Sequence, residues 1–130
     1  MWITNQKAGH HSGCEFWVGS EVKDRTPTHY DRYDSHKPYN DRVDSVVDWL
    51  NKPEVNLGLL YIEEPDHTGH MFGPDSKEVD AKLEELNNVI TFIIRVDPGV
   101  SFFFDPLHVF YNVCKKWVLL INSIYPFVVD

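Results

Sequence analysis

The chain has little basic charge, few cysteines and no long uninterrupted apolar run. Twelve Lys and Arg stand against twenty Asp and Glu, giving a formal net charge of −8 over 130 residues. Non-specific nucleic-acid binders neutralise many phosphates with clustered cations, so this balance argues against that class. A phosphate-bearing substrate would need metal cations here. Two cysteines, Cys14 and Cys114, cannot build a disulfide framework, and their separation rules out a CxxC zinc ribbon. No basic segment followed by an apolar run opens the sequence, so no signal peptide is visible, and the expectation is a cytosolic protein or a missing start. The longest apolar stretch, Trp117 to Val129, is broken by Asn122, Ser123 and Pro126 and is too short to cross a bilayer as a helix. There is no internal repeat and no low-complexity tract.

What is present suits a folded chain. A hydrophobic share of 42% and a charged share of 25% are ordinary for globular proteins. The length fits one domain or part of one, and is short for a complete multi-layer α/β hydrolase. Residues 1 to 38, rich in Gly, His, Ser, Asp, Tyr and Pro, read as loops joining at most a short strand. From Asn40, Val43, Val46, Val47 and Leu50 recur at helical spacing, predicting an amphipathic helix that ends near Asn51 and Pro53. Leu57 to Ile62 is almost continuously apolar, as a strand covered on both faces would be. A loop with Gly69, Gly73 and Pro74 should follow. Asp75 and Glu78 then resemble a capping box before a second helix marked by Val79, Leu83, Leu86, Val89, Ile90 and Ile93. Helix then strand implies α/β architecture. Residues 96–130 are aromatic-rich with little periodicity and fit no clear domain.

Chemistry concentrates in Glu63-Glu64-Pro65-Asp66-His67-Thr68-Gly69-His70. Asp66 falls just past the C-terminal end of the buried strand, the edge where open α/β sheets place ligands. Pro65 fixes the backbone entering Asp66, and Gly69 is expected to let the chain turn so that the carboxylate and the His70 imidazole converge. A carboxylate oxygen and a neutral imidazole are natural zinc donors, though one or two more ligands are required. Asp-x-x-x-His spacing alone arises often by chance; the acidic turn after a full strand, followed by Gly-His and Gly-Pro, is far rarer. His10 and His11 lie in a Gly- and Ser-rich segment without a carboxylate at ligand spacing and read as surface histidines.

Four segments in order, Trp2 to Gln6, Phe16-Trp17-Val18-Gly19-Ser20-Glu21-Val22, Asp41-Arg42-Val43 through Trp49-Leu50, and Leu60 to His70, closely resemble the ectonucleotide pyrophosphatase/phosphodiesterase family. The likeness covers about residues 2 to 95, and its most specific string is Glu-Pro-Asp-x-x-Gly-His. It implies an alkaline-phosphatase-like three-layer α/β fold with a central, mostly parallel sheet. It also implies an extracellular or cell-surface, membrane-associated enzyme, and two zinc ions clamping a phosphodiester during attack by a threonine. Asp66 and His70 would serve one zinc. Trp17 matches the tryptophan of the Trp-Pro-Gly-Ser-Asp pattern, where Val18 replaces Pro and Glu21 replaces Asp. Tyr33 matches a tyrosine that stacks on a nucleobase, and Tyr61 one beside the substrate. Aromatic faces suit that role. Both Trp17 and Tyr61 have a core alternative, stronger for Tyr61 because it lies within the apolar run, and Glu63 and Glu21 could contact substrate or simply face water.

The family's nucleophile, a neighbouring metal-binding Asp and a substrate-contacting Asn lie upstream of the Trp2 segment, so Thr4 is not the nucleophile. Downstream, Asp105 and His108, separated by Pro106, do not reproduce the family's Asp-His-Gly element. The expectation is therefore a partial catalytic domain over residues 1–95, with a divergent tail over 96–130 and no turnover by the chain alone. The small-molecule partner would be a nucleotide or another phosphodiester. Other readings are a truncated, non-catalytic product that binds metal or nucleotide weakly, and an acidic interaction module using its aromatic tail.

Overall fold

An apolar run that is both uncharged and too short for a helix of three turns is best buried as a central strand. In the computed structural model, which describes residues 1–96, 100–105, 108–113 and 116–122 and side-chain surroundings for residues 1–93 and 95, that run forms β3 (Val55–Ile62). Before it come α1 (Trp2–Lys7), β1 (His11–Glu15), β2 (His29–Asp31) and α2 (Tyr39–Leu50). After it come α3 (Asp66–Phe72), α4 (Lys77–Val96), β4 (Val100–Asp105), β5 (His108–Val113) and β6 (Lys116–Asn122). The strands make one sheet in the order β2-β1-β3-β6-β5-β4. β2, β1, β3 and β6 are parallel neighbours, and β5 runs antiparallel between β6 and β4.

Strand alternation distributes the core to two faces. Leu60 and Ile62 point toward α2 and α4 and are buried with Val43, Val46, Leu50, Leu86, Val89 and Ile93. Leu59 points the other way, into a smaller cluster with Trp2, Cys14 and Trp17. The Trp2 indole donates to the Arg25 carbonyl at 2.6 Å, and the Asn5 amide donates to Ser12 Oγ and Asn56 Oδ1 at 2.9 and 2.8 Å. The Asn5 bonds fasten α1 to the starts of β1 and β3, and the Trp2 bond ties it to the segment before β2. The result is a helix–sheet–helix stack, the mixed α/β arrangement expected from sequence.

Two glycines allow α2 to sit close. Gly13 and Gly58 are partners across the β1–β3 ladder. A Cβ on Gly13 would lie 2.5 Å from Trp49 Cε3, and one on Gly58 2.8 Å from Val46 Cγ1.

The structure corrects several boundaries. Residues 1 to 38 contain α1, β1 and β2 rather than loops around one strand. Their strands are short, with Ser12, Gly13 and Glu15 interrupting the apolar pattern, and so carry a weak signal. The loop expected around Gly69 is helical, as α3. The α4 cap is Ser76 and not Asp75: Ser76 Oγ accepts from the Val79 N–H at 3.3 Å. Val79, Leu86, Val89 and Ile93 are buried as expected, whereas Leu83 is exposed. The tail contributes β4 to β6, in keeping with the strand preference of Phe, Val, Ile, Tyr and Trp. Expectations that touch Pro106, Cys114 and residues 123–130 lie outside the described residues. Among the described residues, no helix is long and apolar enough to cross a membrane.

Candidate functional site

At the end of β3 the chain enters α3 with a cis bond between Glu64 and Pro65. The first turn of α3 needs acceptors for its N–H groups, and the preceding residues supply them. Buried Glu64 accepts from the Thr68 N–H at 3.0 Å, and the Glu63 and Pro65 carbonyls accept from His67 and Gly69 at 3.1 and 2.9 Å. Asp66 thus opens the helix and His70 follows one turn later on the same face. Their Oδ1 and Nε2 atoms are 3.5 Å apart. Helical periodicity brings the two together, not a turn at Gly69, where an added methyl would meet nothing within 4 Å. Two donors each about 2.1 Å from a tetrahedral ion would stand roughly 3.4 Å apart, so this pair fits a shared zinc. Among the described residues, no group of three His, Cys, Asp or Glu side chains is placed to hold a metal.

The aromatic candidates separate into two environments. Tyr61 is half-buried on β3, against the cluster containing Leu59. Burial raises its hydroxyl pKa, reinforced by the negative fields of Glu63 and Asp66 and by Tyr33. Tyr33 is 53% exposed, and its backbone N–H donates to Glu21 Oε1 at 3.1 Å. The ring meets Phe16 edge-on, with centroids 5.4 Å apart and planes at 65°. Tyr33, Tyr61 and Asp66 therefore share one edge of the sheet. Trp17 is buried within the same cluster that Tyr61 packs against, with Trp2, Cys14 and Leu59.

Glu63 is partly buried and has Arg42 as its partner. Its carboxylate accepts two hydrogen bonds from Arg42, at 2.6 and 3.2 Å. Burial pushes the Glu63 carboxyl up, but the Arg42 bonds outweigh it and hold the group below its ordinary value. Arg42 is 1% exposed, donates through Nε to the Lys37 carbonyl at 3.0 Å, and lies between the Phe16 and Tyr39 rings at 4.7 and 4.8 Å. Sequence reasoning missed this buried cation. The available signal was position: Arg42 precedes Val46 by four and Leu50 by eight, on the stripe that faces the sheet.

A second missed group lies alongside. Lys37 Nζ donates to Glu15 Oε1, Asp31 Oδ2 and Ser45 Oγ at 2.8, 2.7 and 2.8 Å. Glu15 has no exposed surface, and among the described residues its Oε2 has no hydrogen-bond partner. Burial pushes the Glu15 carboxyl up to about 7; Lys37 opposes the shift, and Asp31 adds to it. Because the folded value exceeds the unfolded one of about 4.5, the stabilising contribution is complete below about 4.5 and is lost as pH rises through about 7. Between pH 5 and 8 the wild-type chain should lose on the order of 1–3 kcal/mol relative to Glu15→Gln. Paired denaturation curves at several pH values check this. The difference between the two proteins cancels His29, whose lowered pKa, caused mainly by burial, acts in the opposite sense. Parallel pH profiles would refute the assignment.

Residues 1–96 match the family model described as type I phosphodiesterase / nucleotide pyrophosphatase. The chain is 41% identical over 99 residues to ectonucleotide pyrophosphatase/phosphodiesterase family member 5 of Homo sapiens, covering 74% of this chain and 21% of that protein. It is 35% identical over 122 residues to a bis(5'-adenosyl)-triphosphatase of Xenopus laevis, covering 78% of this chain and 27% of that protein. The fold superposes on an inactive variant of murine ectonucleotide pyrophosphatase/phosphodiesterase 5 in complex with AMP. That match has a TM-score of 0.68 and 40% identity, covering 72% of this chain and 26% of the other. The chain thus spans between 21% and 27% of the length of these proteins.

Proposed function

Because the chain belongs to the type I phosphodiesterase / nucleotide pyrophosphatase family, we propose that it supplies part of a zinc-dependent site hydrolysing phosphodiester or pyrophosphate bonds of nucleotides. Residues 1–95 are its portion of the catalytic domain, and residues 96–130 are a divergent extension. The observation that carries the reading is the Asp66–His70 pair, 3.5 Å apart on α3 at the C-terminal edge of β3. Asp66 contributes the charged oxygen and His70 the neutral imidazole of one zinc site in a two-zinc centre. Zinc supplies charge stabilisation to the phosphoryl oxygens. Tyr33 and Tyr61 offer aromatic faces and hydroxyls to the nucleotide along the same edge. Trp17 belongs to the buried cluster against which Tyr61 packs, and Glu63 contributes through Arg42. The AMP held by the murine relative supports a nucleoside monophosphate as the simplest ligand. The relatives' designation as ectonucleotide enzymes supports a place at or outside the cell surface.

Two donors alone bind zinc weakly, so the isolated chain is expected to take up zinc and nucleotide without turning over substrate. Calorimetric zinc titration near pH 7.5 tests the site: Asp66→Ala and His70→Ala should each weaken binding about tenfold or more. His10→Ala should change nothing. Unaltered affinity in both site variants would sink the proposal.

A further inference from the structure

The point where β1 leaves the sheet carries an unexplained cost. Phe16 has φ of 55°, in the left-handed region that a bulky side chain adopts only when its surroundings over-determine it. Those surroundings are specific. The ring is 5% exposed, with the Arg42 guanidinium 4.7 Å from its centroid and Lys37 Nζ at 5.6 Å. Arg42 is itself fixed by Glu63, the Lys37 carbonyl and the Tyr39 ring. One buried cation, Arg42, thus lies against the π-system of Phe16, with the partly exposed Lys37 ammonium farther off. The same ring meets Tyr33, at 5.4 Å and 65°.

Resting on the nucleotide reading above, we infer that Phe16 is a positioning residue: held by Arg42 in a strained backbone conformation, it sets the Tyr33 ring in the orientation that receives the base. Tyr33 lies between β2 and α2, and half of its surface is open to solvent. A ring so exposed would otherwise sample several rotamers, and a ligand would have to order it on binding. The edge-on contact with Phe16 removes that step in advance. Tyr39 on the far side of Arg42 and Glu63 beneath it extend the support back to the end of β3. The Glu63 carboxylate therefore reaches the nucleotide indirectly, through a guanidinium and two rings. Neither Phe16 nor Arg42 needs to touch ligand for this to hold.

The test uses the full chain with ¹³C-labelled tyrosine and AMP as probe, followed by NMR. Phe16→Leu keeps the apolar bulk but loses the ring; it should shift the Tyr33 ring resonances and weaken AMP about threefold to tenfold. Phe16→Tyr should restore both. In a Tyr33→Leu background, Phe16→Leu should have no further effect on AMP affinity, because the two residues act as one unit. If Phe16→Leu does not fold, Phe16→Met, which also removes the ring while filling more of its volume, takes its place with the same expected shifts and affinities. Equal AMP affinity in wild type and folded Phe16→Leu would overturn the inference, as would full additivity of the two substitutions. Should the wild-type chain show no AMP binding while Phe16→Leu still moves the Tyr33 resonances, the nucleotide reading fails and the placement of Tyr33 by Phe16 stands.

Discussion

Glu63→Ala lowers the unfolding free energy by about 3–5 kcal/mol, the penalty for leaving a buried cation without its partner. Arg42 is 1% exposed and has exchanged water for two Glu63 oxygens, one carbonyl and two ring faces. Removing the carboxylate leaves the guanidinium desolvated with its charge uncompensated. Since small domains are stable by about 5–15 kcal/mol, the loss is a large part of the total. The cost belongs to the unpaired charge rather than to the pair as such. The double variant Arg42→Met with Glu63→Leu should therefore recover most of the stability, and could equal wild type. Urea denaturation midpoints of the three proteins decide the matter. A Glu63→Ala midpoint within error of wild type would show that water reaches Arg42.

Leu60→Ala and Leu59→Ala should each cost about 2–5 kcal/mol, but through different parts of the molecule. Leu60 is 1% exposed and fills the face beneath α2 and α4; Leu59 is fully buried and fills the opposite face under α1. Neither cavity can collapse easily, because a strand lies between them. Only Leu59→Ala should disturb the indole signals of Trp2 and Trp17, which share its cluster. If Leu60→Ala perturbed those indoles equally, the two-faced description of β3 would be wrong.

The elements that carry long apolar patterns are legible in the sequence. Val43, Val46 and Leu50 placed α2, the uncharged run placed β3, and Val79 to Ile93 placed α4. Asp66 and His70 are legible as a pair, but not the local reason for it: Gly69 suggests a turn, while Glu64 accepting from Thr68 makes it part of a helix. β1 was hidden because its inward residues include Ser12 and Glu15, whose burial depends on Asn5 and Lys37 elsewhere in the chain. β2, three residues long, offers no periodicity to detect. Arg42 and Glu63 were each visible singly, as a helix residue and a turn residue. Their pairing across 21 positions is a tertiary fact that no local pattern encodes.

The paired glycines of β1 and β3 bear on all of this from a distance. Side by side, Gly13 and Gly58 make a slot that takes Trp49, Val46 and Leu50, near the C-terminal end of α2. A rod keyed into a slot at one end has its other end aimed, and the other end of α2 carries Arg42. Filling the slot with a methyl would therefore tilt or slide the helix and move the guanidinium away from Glu63 and Phe16. Two residues with no side chain act as the alignment stop for the charged and aromatic edge at the end of β3.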